Sequence, residues 1–469
     1  MASSYFMEFI SRSMVLPSQR SMYSRKGIDS CQIHDLIREI IISKSMEENL
    51  VLRLERGCIL DCQGTGRHLI ISSDWEGDQN EFESSVDLSR IRSLTVFGES
   101  KPFFISKKMR LLRVLDLEGV SGLFDHHLVH MGKLLHLKYL SLRGCTEIYY
   151  LPDWLGNLRQ LETLDIKGTQ IFKLPRTIIR LSKLRHICAG ANIRICGDMS
   201  DVSRLRSMCS MPLISMLCCL ACCRPQFLSA GTHWNRRDIC TALCCGLMPA
   251  MLMRLSVHGV TIPSGIHKLK ALQTLDAVNI ARREATLDDI KRLAQLRKLG
   301  VSGINKTNLG KLPEWIMGLK NLLKLKLWGS RILEHDSAMQ VLGKLPNLTF
   351  LSLRDKSFVG EQVHIKFHRE EFPSLVVLEV YRQEEVKSFE FEQGATPKLE
   401  LLRYCGDPSQ CIARYFLGLQ YLPSLREFML SDYYRYYRSE HKDDFLGDLQ
   451  AQISQNTNRP VLNRAINFC

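Results

Sequence analysis

A hexad of apolar positions, ϕ-x-x-ϕ-x-ϕ, recurs along most of this 469-residue sequence and restricts its fold more than any other feature. Consecutive hexads are separated by steps of 20 to 27 residues, apart from one step of 68 residues. The last two apolar positions share one face of a short strand, because side chains alternate along a strand. The hexads begin at Ile91, Leu112, Leu137, Leu161, Leu184, Leu252, Leu272, Leu296, Leu322, Leu348, Leu375, Leu399 and Leu425.

A second motif, Leu-Pro-x-x-ϕ-x-x-Leu, precedes several hexads, as at Leu151–Leu158 and Leu312–Leu319. The proline favours a helical turn, and the leucines that follow point back toward the strand. One such unit cannot bury its apolar face alone, so neighbouring units must stack. A period of 20 to 29 residues is typical of leucine-rich repeats. The sequence therefore predicts an α/β fold, a leucine-rich-repeat solenoid of horseshoe shape with parallel strands on its concave face.

The hexads divide the chain into segments. We predict a solenoid over residues 67–432, a separate module over residues 1–60 and a C-terminal cap or tail over residues 433–469. The long step contains nine of the 17 cysteines, and we interpret residues 190–251 as a cysteine-rich insertion, either an inserted loop or a degenerate repeat. Cys219 and Cys222 form a C-x-x-C pair, but the other cysteines lack regular metal-ligand spacing, so we expect reduced, metal-free thiols.

The composition excludes several classes of protein. The charge of +14 is regional, because residues 251–340 hold 15 basic and 7 acidic side chains, whereas residues 341–469 are nearly neutral. This uneven distribution does not favour a nucleic-acid-binding chain. No secretory or membrane-spanning segment is evident, so we expect a cytoplasmic protein. No catalytic motif stands in a convincing context, and we predict neither an enzyme nor catalytic residues.

The first sixty residues carry a resemblance to a known family. YFMEFISRSM followed by CQIHDLIREII resembles the winged-helix end of the nucleotide-binding module in plant NB-ARC leucine-rich-repeat disease-resistance proteins. Ile33, His34 and Asp35 are similar to that family's Met-His-Asp motif. The repeats also resemble the family's recognition domain, so the resemblance covers nearly the whole chain and indicates the C-terminal portion of such a receptor.

The nucleotide site of that family is incomplete in this chain. The family binds ADP or ATP with a Gly-x-x-x-x-Gly-Lys-[Ser/Thr] loop, and this sequence contains no such loop. The resemblance implies a phosphate-sensing role for the histidine of the motif, and here that role falls to His34 as a vestige. We therefore predict no cofactor for this chain. The missing phosphate-binding loop has two possible explanations, a natural truncation of the protein or an incomplete gene model.

The solvent-facing positions of the hexads form the predicted recognition surface on the concave face. The middle of this array is mostly basic, which favours an acidic protein partner. We expect Lys324 and Lys326 to point to water, so that reversing both charges leaves the fold intact. The candidate protein-binding residues are Arg254, Arg297, Lys298, Lys324, Lys326, Phe350, Arg403 and Arg426.

These observations favour an immune-receptor-like protein in plant defence. Its repeats are expected to recognise a protein, namely a pathogen effector, a guarded host protein or an NB-ARC module, and to regulate a nucleotide-dependent switch. The alternative is a stand-alone repeat scaffold or decoy without switch activity.

Overall fold

The computed structural model describes residues 2–17, 31–48, 50–56, 66–190, 259–280, 289–304, 311–406, 414–431 and 441–464. The helices and strands below lie within these ranges. None of the helices among these residues has the length and apolar character that crossing a membrane requires.

One parallel sheet of fifteen strands dominates the described residues. Twelve of its strands coincide with predicted hexads, because the two inward positions of each hexad bury their side chains against the neighbouring unit; Leu115 and Leu140, for example, are fully buried. The α/β leucine-rich-repeat solenoid is thereby confirmed. In spatial order the strands are β3 (Val51–Leu54), β4 (His68–Ile71), β5 (Ser93–Val96), β6 (Val114–Asp116), β7 (Tyr139–Ser141), β8 (Thr163–Asp165), β9 (His186–Cys188), β10 (Thr274–Asn279), β11 (Lys298–Ser302), β12 (Lys324–Trp328), β13 (Phe350–Arg354), β15 (Val377–Tyr381), β17 (Leu401–Cys405), β19 (Glu427–Ser431) and β20 (Val461–Arg464).

Short helices pack behind the sheet and return the chain to the start of the next strand. Most are single 3-10 turns, and a proline at the N-cap position precedes three of them, as predicted from the Leu-Pro motif. The 3-10 helices span Pro102–Phe104, Asp125–Lys133, Asp153–Asn157, Arg176–Arg180, Ile266–Lys268, Glu314–Gly318 and Leu419–Tyr421. The α-helices are α1 (Ala2–Ser11), α2 (Asp35–Glu47), α3 (Gln79–Ser85), α4 (His335–Gly343) and α5 (His441–Gln455).

A second, smaller sheet forms in the last third of the chain, which the sequence did not predict. Strands β14 (Val363–Phe367), β16 (Val386–Phe391) and β18 (Phe416–Leu417) pair in parallel. Aromatic side chains hold them together, with the rings of Phe367 and Phe391 stacked at 4.6 Å and those of Phe389 and Phe416 at 5.5 Å. The signal was present as alternating apolar residues in VHIKF and VKSFEF, between two hexads.

The main sheet extends beyond the solenoid limits of 67 and 432 that the sequence indicated. At one end Leu52 and Leu54 of β3 are buried beside β4. At the other end, Phe445 and Leu449 of α5 are buried and β20 pairs with β19.

The segment before β3 contains α1, a two-stranded antiparallel pair of β1 (Val15–Pro17) and β2 (Cys31–Ile33), and α2. Its assignment as the end of a winged helix stays a prediction.

The cysteine-rich insertion leaves and rejoins the solenoid within one repeat. The Gly168 N–H donates to the Gly190 carbonyl at 2.7 Å, and the Leu174 N–H donates to the Thr261 carbonyl at 3.0 Å, so residues 190 and 261 stack on the same turn of the preceding repeat. Strand β9 then pairs directly with β10, through His186 beside Thr274 and Ile187 beside Leu275. The sheet therefore has no place between β9 and β10 for a strand from the hexad at Leu252, contrary to our expectation. Most of the predicted insertion, including its cysteine pairs, lies outside the described residues.

Candidate functional site: the strand face of the solenoid

The exposed side of the main sheet, called here the strand face, carries three rows of side chains. Residues at the same register position on adjacent strands lie about 4.8 Å apart, so each row is continuous from strand to strand. From β10 or β11 onward, the first row is Thr274, Lys298, Lys324, Phe350, Val377, Leu401 and Glu427. The second row is Gly300, Lys326, Ser352, Glu379, Arg403 and Met429, and the third row is Ser302, Trp328, Arg354, Tyr381, Cys405 and Ser431.

Three of the predicted binding residues are neighbours in the first row. Lys298 pairs with Lys324, and Lys324 pairs with Phe350. The Lys324 ammonium lies 5.3 Å from the centre of the Phe350 ring, within the range of a cation–π contact. Lys298 is exposed, whereas the other two residues are half-buried. The structure therefore brings together an apolar surface and two positive charges at the start of three strands.

Lys326 and Arg403 lie in the second row, where each has an acidic partner. The Lys326 ammonium is 3.3 Å from the Asp276 carboxylate, and the Arg403 guanidinium donates to the Glu379 carboxylate at 2.9 Å. Glu379 is only 4% exposed, so its charge requires this compensation. The second row is consequently more balanced in charge than the local excess of lysine and arginine suggested.

Arg354, in the third row, is held in one position by four neighbours that the sequence reading missed. Its guanidinium lies 4.0 Å from the Tyr381 ring centre and 5.7 Å from the Trp328 ring centre. It also reaches a Glu379 oxygen at 3.4 Å and donates from Nε to Ser352 Oγ at 3.1 Å. A signal for this row existed, because its members follow the last apolar position of each hexad, one residue beyond the positions that we considered.

Tyr381 belongs to the same cluster and is 7% exposed. Burial, followed by the nearby Glu379 carboxylate, raises its pKa to about 12, against the opposing effect of Arg354 and Arg403. The phenol therefore stays neutral at physiological pH. We call Trp328, Arg354, Tyr381, Glu379 and Arg403 the aromatic-arginine cluster.

Arg297 and Arg426 lie at the edge of the strand face, one residue before β11 and β19. They belong to a leading row whose backbones are joined by hydrogen bonds of 2.7 to 2.9 Å. Arg426 is 4.0 Å from Glu400 and Lys138 is 3.4 Å from Glu162, so four charges of this row form two ion pairs. The row also includes Arg92, Arg113, Arg185, Gln273 and Arg297, so its N-terminal half is mainly basic.

The motif Ile33-His34-Asp35 lies at the junction of β2 and α2. The Leu36 N–H donates to His34 Nδ1 at 3.3 Å, and the Arg38 N–H donates to the His34 carbonyl at 2.9 Å, so His34 caps the helix. Asp35 lies in the first turn of α2, 3.9 Å from Arg38. Three apolar side chains of this segment are exposed: Ile33 at 41%, Leu36 at 65% and Ile40 at 56%.

Arg254, the remaining predicted residue, lies outside the described residues. Within those residues, no group of three or more His, Cys, Asp or Glu side chains is arranged to hold a metal ion. The geometry that is present, a row-wise array of fixed charged and aromatic side chains on a parallel sheet, is suited to binding a protein surface.

Comparisons with known proteins identify the family of the repeats. A family model described as "Leucine-rich repeat region" matches residues 90–226 and 303–462. The disease resistance protein Pik-2 of Oryza sativa subsp. japonica is 32% identical over 190 residues, which cover 40% of this chain and 18% of that protein. The disease resistance protein RPH8A of Arabidopsis thaliana is 24% identical over 443 residues, covering 91% of this chain and 45% of that protein. The chain thus spans less than half the length of these curated relatives.

Solved structures with similar folds are more distant. A leucine-rich repeat protein of Leptospira interrogans superposes with a TM-score of 0.46 at 13% identity, covering 91% of this chain and 98% of that one. The ectodomain of the Arabidopsis thaliana receptor kinase GASSHO1/SCHENGEN3 gives a TM-score of 0.40 at 14% identity, covering 77% of this chain and 32% of that one.

Proposed function

Because this chain belongs to the leucine-rich repeat family and corresponds to the C-terminal repeat portion of plant disease resistance proteins, we propose that it recognises a protein partner in plant defence. The recognition surface is the strand face, and the partner is a pathogen effector, a guarded host protein or an NB-ARC module. The protein acts in the cytoplasm by binding, without catalysis and without a nucleotide of its own.

The aromatic-arginine cluster carries this proposal. Binding energy at protein interfaces is concentrated in Trp, Tyr and Arg side chains that are fixed before the partner arrives. Arg354 meets this condition, because two rings, a carboxylate and a hydroxyl hold it in place. The adjacent first row adds Lys298 and Lys324, whose charges favour an acidic partner and faster association at low salt.

The second part of the proposal concerns regulation. The match with the relative RPH8A covers only 45% of that protein, and the family resemblance implies a nucleotide-dependent switch in the part that this chain does not match. We propose that the repeats restrain that switch until the strand face is occupied. Expressing the chain in leaf cells together with the nucleotide-binding portion of a relative tests this: restraint predicts less cell death than with that portion alone, and unchanged cell death favours a stand-alone scaffold.

Recognition is tested with a charge-matched pair of variants. Lys298→Glu/Lys324→Glu changes two residues of the first row, and Lys291→Glu/Lys320→Glu changes two exposed residues outside the strands by the same total charge. Tagged wild type and both variants are purified from pathogen-challenged leaves, and the proteins that accompany them are quantified by mass spectrometry. We expect at least one protein to be retained by wild type and the control pair and lost from the first-row variant. If every accompanying protein is retained equally, the strand face is not the recognition surface.

A further inference from the structure

The leading row of the strand face begins at Arg67, one residue before β4. The Arg92 N–H donates to the Arg67 carbonyl at 2.7 Å, and each later member as far as Arg297 donates to the carbonyl of the member before it at 2.7 to 2.8 Å. The row is therefore a continuous backbone ladder that places one side chain at the start of each strand. From β4 to β11 its members are Arg67, Arg92, Arg113, Lys138, Glu162, Arg185, Gln273 and Arg297.

Most of these side chains are cations without a carboxylate partner. Lys138 pairs with Glu162 at 3.4 Å, whereas the five arginines of the row pair with no carboxylate of the described residues. Four of these arginines are exposed, and Arg92 is half-buried. The adjacent residue of the first row on β11, Lys298, is exposed and has no carboxylate partner in the described part of the chain either.

The acidic residues of the neighbouring second row do not balance this charge. Asp165 lies 3.7 Å from Arg143, and Asp276 lies 3.3 Å from Lys326, so these two carboxylates already have cations of their own. Asp116 is the remaining acidic residue of the second row between β4 and β11. Five arginines and Lys298 therefore face one carboxylate that has no described cation as partner, and this edge of the strand face is positive.

The row has the dimensions of an extended peptide. Seven steps of ~4.8 Å between strands separate Arg67 from Arg297, which gives a length of ~34 Å. At ~3.3 Å per residue, about ten residues of extended chain cover this distance. Arg67, Arg92 and Arg113 lie on three consecutive strands, and Arg185 and Arg297 follow at intervals of several strands. Acidic side chains spaced along one such segment can therefore reach all five arginines.

We propose that the leading row from Arg67 to Arg297, called here the arginine row, binds an extended acidic segment of the protein partner that lies across the strands. This inference rests on the proposed function and names the part of the partner that the strand face selects. A guanidinium matches a carboxylate with two parallel N–H donors, and clustered arginines are a recurring means of binding acidic segments. The positive edge also attracts such a segment before contact is made.

A protein segment fits the arginine row better than a nucleic acid does. Aromatic side chains, on which bases stack, are absent from the row between Arg67 and Arg297. Glu162 lies in the middle of the row and repels a phosphate, whereas a protein segment can place an uncharged residue opposite it. Beyond β11 the row continues with uncharged, half-buried residues, which suit apolar side chains of a protein and not a uniform polyanion; they are Leu323, Thr349 and Val376.

The test titrates the purified full chain into a fluorescent, acetylated decaglutamate peptide and follows the anisotropy. The row variant is Arg67→Gln/Arg113→Gln/Arg185→Gln, which changes three exposed side chains. We expect it to bind decaglutamate about tenfold more weakly than wild type, because each exposed ionic contact contributes modestly and three are removed. The affinity of wild type should fall as salt rises, since screening acts on exposed charges. Decaglutamine should not bind.

A matched control removes the same charge elsewhere. The control variant is Lys133→Gln/Arg176→Gln/Lys387→Gln, at three exposed residues of the helices behind the main sheet and of β16. It should bind within about twofold of wild type, because only a local field acts at a Debye length of ~8 Å. The variant with lysine at positions 67, 113 and 185 keeps the charge and should restore most of the affinity. Equal affinity of wild type and the row variant, or an equal loss in the control variant, would overturn the inference.

Two further measurements locate the site and identify the class of ligand. Decaglutamate should protect Arg113 and Arg185 from modification by phenylglyoxal, as quantified by mass spectrometry, and leave Arg176 unprotected. Absence of this protection would contradict binding along the row. Binding of a ten-nucleotide oligothymidylate, or of vesicles that contain phosphatidylserine, more tightly than decaglutamate and through the same arginines would overturn the choice of a protein segment.

The row variant also separates this inference from the proposed function. In the purification from leaves it should lose the proteins that depend on Lys298 and Lys324. If it loses decaglutamate affinity but keeps those proteins, the partner does not use the arginine row, and the inference fails while recognition by the strand face stands. If no leaf protein depends on Lys298 and Lys324, the proposed function fails, and the peptide titration alone decides on the site for an acidic segment.

Discussion

The ammonium of Lys326 lies 3.3 Å from the carboxylate of Asp276, although these residues belong to β12 and β10 and the strand β11 runs between them. The contact is possible because β11 contributes Gly300 at that position of the second row. Strand β10 also has a register shift between Leu275 and Val278, where Ala277 adopts a φ of 52°. An irregular strand and a missing side chain thus allow two charges to meet across a neighbour.

Lys326→Glu is expected to lower the stability of the solenoid. The side chains of Lys326 and Asp276 are 31% and 22% exposed, so the substitution places two half-buried carboxylates close together. The cost should be about 1–2 kcal/mol, because the screening that weakens exposed pairs acts only in part here. Thermal unfolding followed by circular dichroism measures the effect, and Lys298→Glu, at an exposed residue of the adjacent strand, serves as the control. This expectation replaces our view from the sequence that Lys326 points freely to water.

Gly300→Ala should destabilise the protein through crowding. The added Cβ would lie 2.6 Å from the Ala277 backbone nitrogen and 2.7 Å from Asp276 Oδ1, and the backbone nitrogen cannot move without shifting β10. Overpacking of this kind costs about 1–3 kcal/mol. Gly318→Ala is the matched control, because nothing lies within 4 Å of its Cβ position. Equal melting temperatures for the two variants would contradict the close approach of β10 to β11.

Tyr381 should make the stability of the protein sensitive to alkaline pH. Its pKa of about 12 in the folded chain exceeds the ordinary value of about 10 that applies after unfolding. Keeping the phenol neutral therefore favours the folded state below pH ~10, and this contribution is lost as the pH rises from about 10 to 12. Urea unfolding at several pH values should show a shallower alkaline decline for Tyr381→Phe than for wild type. Tyr421→Phe, at a residue 47% exposed, should decline like wild type.

The purified chain should not bind ADP or ATP at micromolar concentrations. A phosphate site needs a cradle of backbone N–H donors, and the sequence lacks the glycine-rich loop that builds one. His34 is engaged in capping α2 through its Nδ1, so His34→Ala should shorten that helix slightly and change nothing in nucleotide titrations. A calorimetric 1:1 complex with ADP that His34→Ala abolishes would contradict this expectation.

The sequence predicted the periodic part of the fold. It did not predict which side chains of the strand face contact each other. Apolar spacing located twelve strands, because burying Leu115 and its equivalents depends on contacts that repeat in every unit. It also listed Lys298, Lys324 and Phe350 among the solvent-facing residues, and the structure brings these three together in the first row. The contact of Lys326 with Asp276 depends instead on Gly300 and on the register shift in β10, and Arg354 contacts Glu379 of another repeat. These features occur once in the chain, so a repeat pattern does not predict them.

The hexad at Leu252 was predicted to form a strand of the main sheet, and this prediction was wrong. Its apolar spacing matches the repeat, but β9 pairs directly with β10, so the sheet has no room for another strand between them. The residue that resumes the repeat is Gly259, whose N-terminal neighbour lies outside the described residues. Spacing alone does not distinguish a repeat strand from a short apolar run within an insertion.

Removing residues 191–258 should leave the solenoid folded, provided that the join has the right length. In the preceding repeat four residues separate Gly168 from Lys173, and the corresponding positions are Gly190 and Thr261, as the Gly168–Gly190 hydrogen bond and the Lys173–Thr261 bridge indicate. Deletion leaves Gly259 and Val260 between them, so two added residues such as Gly-Ser restore the count. The φ angles of Gly190 and Gly259 are 121° and 104°, in the region that favours glycine, and the shortened turn keeps a glycine at both positions. Since the hydrogen bonds that join β9 to β10 involve none of the deleted residues, we expect a cooperative thermal transition within a few degrees of wild type.

The same deletion without the added residues should melt at lower temperature, because it stretches the turn that stacks on Lys173. If the correctly spaced deletion instead aggregates or unfolds broadly, the inserted segment contributes to the core, and the continuity of the repeat across it is not sufficient for folding.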